Sequence, residues 1–305
     1  MILNITFSYN TVNVVNKMKQ SKYSVFLKVV ETGSLSRAAE ECNYSQPAVS
    51  QILTSLEKEL GLTLLHRSHA GVHLTSEGEQ LLPFLREVSR SQLALAEKAD
   101  ELLGVESGLL RIGTFSSISC HLLAPALKTF HAMHPHINFE LFQGDYHQIE
   151  NWIQDGTVDF GFVDLPTRKE FYTLPLLKDR MVAILPPTHP YAQKETIPLE
   201  LFAKEPMILL EEGTRKEVIT QFKQENITPQ IAYRTEDDYT VMSLVENGLG
   251  ISILGELVLN KMTYNIVIKE TSPAFSRQIG VAARSRSHAS NAVKAFLKYL
   301  ENTYN

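Results

Sequence analysis

Three short helical periods follow one another between Lys22 and Gly61, with turns of only a few residues between them. Tyr23, Phe26, Leu27 and Val30 recur at helical spacing until Gly33 ends the run. Ser34 is placed to cap the next helix, which puts Leu35, Ala38, Ala39 and Cys42 on one face. Ser45 caps the third, with Pro47 in its first turn, where a missing N–H costs nothing. The inward face of that helix is Val49, Ile52, Leu53, Leu56 and Leu60, closed by Gly61. Two helices meeting across so short a turn make a helix-turn-helix pattern. The β-type residues from Thr63 to Thr75, bent at Ala70-Gly71, add a short hairpin, or wing.

Ser76 is placed to cap a long helix running to about Leu103. Leu81, Leu85, Val88, Gln92, Leu95, Ala99 and Leu102 recur in alternating steps of four and three, a heptad seam broken only by Gln92. A helix roughly 40 Å long with one narrow apolar seam needs a partner, so a dimer through this helix is expected. Pro83 falls early enough in the helix to be tolerated.

Beyond Gly104–Gly108 the pattern becomes strands alternating with helices. LLRIGTF, INFELFQ, DFGFVD, RMVAILP, PMILLEE, IAYRT and GISIL read as strands. Segments near Cys120–Met133, Tyr146–Gln154, Lys216–Glu225, Tyr239–Asn247 and His288–Tyr299 read as helices. Such alternation implies parallel sheets with crossover helices. Two α/β units of similar size bind ligands between them, at strand C-termini and helix N-termini. The expected boundaries are 1–17, an N-terminal extension that is disordered, strand-like or a misassigned start; 18–75, the winged helix-turn-helix; 76–104, the linker helix; and 108–305, the α/β part. Within the last, 108–164 with 268–305 form one subdomain and 165–267 the other.

Composition excludes several classes. No run approaches the ~18 apolar residues needed to cross a bilayer, so no membrane partner is expected, and the first twenty residues lack the basic start and apolar run of a secretory signal. Cys42 and Cys120 are too few and too distant for a disulfide framework or a CxxC metal site, which suits a reducing cytoplasm. The net charge of −5 argues against coating nucleic acid through bulk charge, but a local patch suffices for a small reading head. His131, His134 and His136 lack a matching acidic or cysteine ligand and read as surface histidines. The Gly-Leu-Gly at 248–250 precedes a strand and lacks the third glycine of a dinucleotide fingerprint. No Gly-x-Ser-x-Gly elbow surrounds Ser116 or Ser117, so no enzyme, cofactor or metal centre is expected.

In a helix-turn-helix, the N-terminal residues of the second helix face base edges in the major groove. Gln46, Ser50 and Gln51 occupy that end. Gln can pair bidentately with adenine, and Ser can bond bases or phosphates. Arg37 and Lys22 are placed for phosphates, although residues 18–75 carry a net charge of only +1. Periodicity and charge leave DNA reading and a plain helical hairpin about equally favoured.

The run from Thr32 to Glu79 resembles the DNA-binding domain of LysR-type transcriptional regulators. It carries Ser45-Gln46-Pro47-Ala48, Leu56-Glu57, Leu60-Gly61, Leu64-Leu65-His66-Arg67 and Leu74-Thr75…Gly78, the family's SQPA, LE..LG..LF.R and LT..G. The resemblance extends over roughly residues 18–303. It implies an α-helical winged helix-turn-helix plus a long linker helix, followed by a periplasmic-binding-protein-like α/β effector domain of two subdomains. It further implies double-stranded promoter DNA as partner, with Ser34, Arg37, Ser45, Gln46, Pro47, Ser50, Gln51 and Arg67 at the interface and Arg67 entering the minor groove. A small-molecule effector is implied against Gly113–Ser119, where hydroxyls and backbone N–H groups meet a helix start that suits a carboxylate or other anion. Thr114, Ser116 and Ser117 form that wall; Thr167, Thr214, Arg215 and Glu236 form the other. Ser116 or Ser117 could equally serve only as a helix cap. Arg215 has two readings, a partner for an anionic effector or a surface side chain beside Glu211 and Glu212. Homodimers, tetramers made as dimers of dimers, and RNA polymerase complete the expected partners. The sequence departs from the family at Leu65, Gln51 and Gly255-Glu256, where Phe, Arg and Pro are usual. A transport-type binding protein without a DNA role is the competing reading, and it leaves residues 18–75 unexplained.

Overall fold

The structure is a computed structural model that describes residues 2–3, 21–68, 71–102, 108–211, 217–287 and 289–304. Its first strand, β1 (Ile2–Leu3), is followed by α1 (Lys22–Thr32), α2 (Leu35–Cys42) and α3 (Gln46–Leu60). Ser21, Ser34 and Ser45 each accept a hydrogen bond from the backbone N–H three residues on. Asn43 closes α2 in the left-handed region at φ 57°, a conformation Asn tolerates, which turns the chain sharply into α3. Val25, Phe26, Val29, Ala38, Val49, Leu53 and Leu56 are fully buried between the three helices. Leu60, expected on the inward face, is exposed together with Leu62, on either side of the Gly61 cap that ends α3.

Strands β2 (Leu65–Ser68) and β3 (Gly71–Leu74) pair antiparallel as the wing. Glu57 Oε1 accepts from the N–H of Leu64 at 2.8 Å and of Leu65 at 3.2 Å, so a carboxylate on α3 fixes where the wing begins. The helix α4 (Ser76–Leu102) is capped by Thr75, not by the expected Ser76: the Thr75 hydroxyl accepts from Gly78 N–H at 2.9 Å and donates to the Thr63 carbonyl at 2.8 Å. A Cβ at position 78 would overlap the Leu64 carbonyl oxygen, hence the glycine.

The heptad seam of α4 divides. Leu81, Leu82 and Leu85 pack into the core of the helix-turn-helix, whereas Val88 and Leu95 are exposed, Leu95 by 62 %. The Leu102 side chain lies outside the described residues. Another face of α4 docks on the α/β part through Arg86–Asp155 at 2.7 Å, Arg90–Asp159 at 3.6 Å and Glu87–Arg284 at 3.2 Å.

The α/β part comprises β4 (Gly108–Thr114), α5 (Ala124–Met133), β5 (Ile137–Gln143), α6 (Tyr146–Asp155), β6 (Phe160–Leu165), β7 (Tyr172–Leu185), β8 (Thr196–Pro198), β9 (Met207–Leu210), α7 (Glu217–Gln224), β10 (Ile231–Thr235), α8 (Asp238–Glu246), β11 (Ser252–Gly255), β12 (Val267–Ala283) and α9 (Asn291–Tyr304). Residues 116–123 form one α turn and a π turn ahead of α5, so the helical stretch begins four residues before Cys120.

Parallel pairing holds for β4 with β5 and β6, and for β9 with β10. The remainder corrects the expectation of parallel sheets. One mixed sheet runs β1-β5-β4-β6-β12-β7-β11, in which β12 is antiparallel to β6 and β7. The 14-residue β7 and 17-residue β12 pass through both subdomains and join them. Leu110, Ile112, Phe160, Phe162 and Phe296 centre the core of the first subdomain; Phe202, Met207, Phe222 and Ile253 centre that of the second. No helix among the described residues is long and apolar enough to cross a membrane.

Candidate nucleic-acid interface and effector cleft

Burying Val49, Leu53 and Leu56 turns the opposite face of α3 outward, and Gln46, Pro47 and Gln51 are exposed on it, with Ser45 just ahead. Gln46 accepts a long hydrogen bond, 3.4 Å, from the Ser36 hydroxyl on α2. Ser50, half-buried, lies one turn beyond Gln46 and accepts from Arg67 Nη1 at 2.8 Å. The other Arg67 nitrogen stands 3.7 Å from Glu57 Oε2. Arg67 therefore bridges the wing to α3. Arg37 is exposed on α2, and Ser34 is engaged as that helix's cap. Lys22, expected against phosphates, is paired with Glu59, so its ammonium already faces a carboxylate across α1 and α3.

The effector-side residues scatter more. Thr114 is buried and its hydroxyl lies 3.0 Å from that of Ser119. Ser116 accepts from Gln143 Nε2 at 2.9 Å, tying the loop after β4 to the end of β5. The helical turn at Ser116 has Phe115 at its cap position and no side-chain cap bond, so the plain capping role does not apply. Ser117 is buried and accepts from Arg277 at 3.4 Å. Thr167 donates to Glu150 Oε1 at 2.6 Å, and the neighbouring Arg168 donates to the other oxygen, Oε2, at 3.2 Å. Glu236 is exposed in the bend before α8. Thr214 and Arg215 lie outside the described residues.

The cleft at the subdomain junction has a different lining: Met181, Leu209, Ile253 and Gly255 form apolar walls, with Glu211, Glu217, Asp238 and Arg277 as its polar groups, Glu211 being paired with Arg234. Arg277 on β12 is buried and central. It donates to Asp179 through Nε at 2.9 Å and Nη2 at 2.7 Å, and to the Tyr146 hydroxyl at 2.7 Å, and its guanidinium lies over the Phe115 ring. Asp179 in turn accepts from Leu257 N–H at 2.9 Å. This group ties α6 and the Ser117 turn to the two long strands. A Cβ at Gly255 would overlap both Asp179 and Arg277, so the departure from the usual proline at 255–256 makes room for the buried ion pair. Glu256 pairs with Arg180 at the surface.

Burial pushes the Asp238 carboxyl up to about 6, reinforced by the charges of Asp237 and Asp179 and opposed by Arg277. Among the described residues, Glu217 Oε1 is buried without a hydrogen-bond partner. Sequence reasoning missed Arg277, Asp179 and Tyr146. The segment VIKETSPAFSRQIGVAA is interrupted by Ser272-Pro273 and alternates weakly, so β12 left little signal.

A winged reading head, a linker helix and a two-lobed α/β domain with a cleft at its junction define a ligand-responsive DNA-binding protein. Residues 21–79 match the family profile of bacterial regulatory helix-turn-helix proteins of the lysR family, and residues 103–305 match the LysR substrate binding domain. The uncharacterized HTH-type transcriptional regulator YvbU of Bacillus subtilis is 32% identical over 295 residues, covering 94% of this chain and 99% of its own. In fold, the chain resembles full-length CbnR complexed with its target DNA (TM-score 0.65, 21% identity, 93% and 99% of the two chains). It also resembles the effector binding domain of QuiR in complex with shikimate (TM-score 0.60, 24% identity, 65% and 97%). The chain belongs to the LysR family of transcriptional regulators, DNA-binding proteins with an effector-binding domain.

Proposed function

We propose that this regulator reads operator DNA through Gln46, Ser50 and Gln51, with Arg37 and the α2 and α3 N-termini at Ser34 and Ser45 on flanking phosphates. The observation that carries this is the exposed N-terminal face of α3, held outward by the burial of Val49, Leu53 and Leu56. Phosphate contacts position the domain and base contacts specify the site. The exposed Val88 and Leu95 on α4, with Phe84, pair two chains, so that two recognition helices meet two half-sites. Dimers of dimers, an intracellular location beside the chromosome and action on RNA polymerase at promoters belong to the same reading.

Genomic fragments enriched on the full-length protein and footprinted test it. Two protected half-sites are expected, with Gln46→Ala and Gln51→Ala each relaxing preference at one base pair by about tenfold. Unchanged preference in both variants would show that the reading face lies elsewhere.

A small molecule in the junction cleft favours one arrangement of the two subdomains and so biases how the paired reading heads sit on DNA. The described wall favours a ligand that donates hydrogen bonds, since Arg277 is matched by Asp179 while Glu217 and Asp238 present carboxylates. This departs from the anionic effector expected through Arg215. Thermal-shift screening of amines and polyols against simple carboxylates separates the two, because a ligand bound only by the folded state raises its apparent stability.

A further inference from the structure

Ser50 and Arg67 come from different elements, and a single 2.8 Å hydrogen bond joins them across the face that meets DNA. A serine hydroxyl has one O–H to give and two lone pairs to accept with. When a guanidinium N–H occupies one lone pair, the hydroxyl is polarised: its O–H becomes a stronger donor and its remaining lone pair a weaker acceptor. Thr54, one turn further on, shows the alternative use: it donates its O–H to the Ser50 carbonyl at 2.9 Å. Arg67 is held for the orienting task from the other side as well. Glu57, two turns along α3 from Ser50, faces the second Arg67 nitrogen and fixes the start of β2 through the Leu64 and Leu65 N–H groups. The same carboxylate offsets part of the Arg67 charge, which weakens its value as a phosphate attractor.

We propose that Arg67 is a specificity-determining residue that acts through Ser50, presenting the serine hydroxyl to the major groove as a hydrogen-bond donor. The base edge it selects is one that offers an acceptor, N7 or O6 of a purine or O4 of thymine, over the amino group of cytosine. The inference rests on the reading of Ser50 as base-facing, and it assigns Arg67 a role different from the minor-groove contact that family resemblance suggests.

The test is selection from a randomised duplex library with full-length wild type, Ser50→Ala, Arg67→Ala, Arg67→Lys, Glu57→Gln and the Ser50→Ala/Arg67→Ala double variant, each checked for an unchanged melting transition. Affinities for the selected site and its single-base variants follow at fixed salt. Ser50→Ala and Arg67→Ala are expected to lose about tenfold discrimination at the same base pair, and the double variant to be no worse there than either single change. Arg67→Lys keeps the cation but not the fork, and should share the lost discrimination while retaining more overall affinity. Glu57→Gln keeps an acceptor for the wing N–H groups and should fall between. A Ser50→Ala variant with the wild-type motif overturns the reading of Ser50 itself. If Ser50→Ala alters the motif while Arg67→Ala weakens all sequences equally, or if the two effects add, Ser50 stands as a reader and the coupling is refuted.

Discussion

Asp238 and Arg277 share the junction cleft with opposite consequences for stability. The Asp238 carboxyl, normally near 3.8, is raised to about 6 by burial. Between about pH 4 and 6 the folded chain keeps a proton that the unfolded chain has lost, so stability falls as pH rises through that window and the penalty is complete above it. Asp238→Asn should therefore stabilise the protein at pH 8 by up to about 3 kcal/mol and far less at pH 4, which urea titrations at the two values measure. A gain independent of pH would refute the assignment. Arg277 is the reverse case, a cation whose removal strands a buried anion. Arg277→Met is expected to cost about 3–5 kcal/mol, because Asp179, 2 % exposed, would keep only the Leu257 N–H among the partners named above. A chemical-denaturation midpoint within error of wild type would refute that cost.

Among elements, the family motif resolves into a mechanical joint. Glu57 sets the wing, Thr75 caps α4, and Gly78 allows α4 to pass against the Leu64 carbonyl. Gly78→Ala puts a Cβ into backbone that cannot swing aside, and a loss of about 1–3 kcal/mol is expected, read as a lower melting temperature. Because this joint carries the reading head, operator affinity should fall with it. The same motif was legible in sequence because each part is local: caps, a tight turn and a helical period lie within a few residues of one another. Strand β12 was not legible. Its pairing with β6 and β7 is made with segments about a hundred residues away, and its own alternation is broken at Ser272-Pro273. Strand β7 is legible only in its second half, RMVAILP, where burial on both faces makes a continuous apolar run.

For the molecule as a whole, the linker helix carries the proposed pairing of two chains. Its proximal leucines are used inside the chain, and its distal Val88 and Leu95, with Phe84, remain open. Leu95→Glu should shift sedimentation towards monomer and lower operator affinity by tenfold or more, since one half-site alone is then bound; an unchanged dimer would move the interface elsewhere. The sequence by itself determined the order of parts, the three helices and wing, the linker and most of the alternating α/β elements, because periodicity, capping and turn chemistry are short-range. It also marked the outward face of α3, since the residues that must be buried fix those that cannot be. Only the tertiary structure decided that one sheet threads both subdomains, that Arg67 leans on Ser50, and that the cleft is lined by Glu217, Asp238 and Arg277. Those facts depend on which distant segments meet, and a buried arginine reads in sequence like an exposed one until the strand beside it supplies the carboxylate.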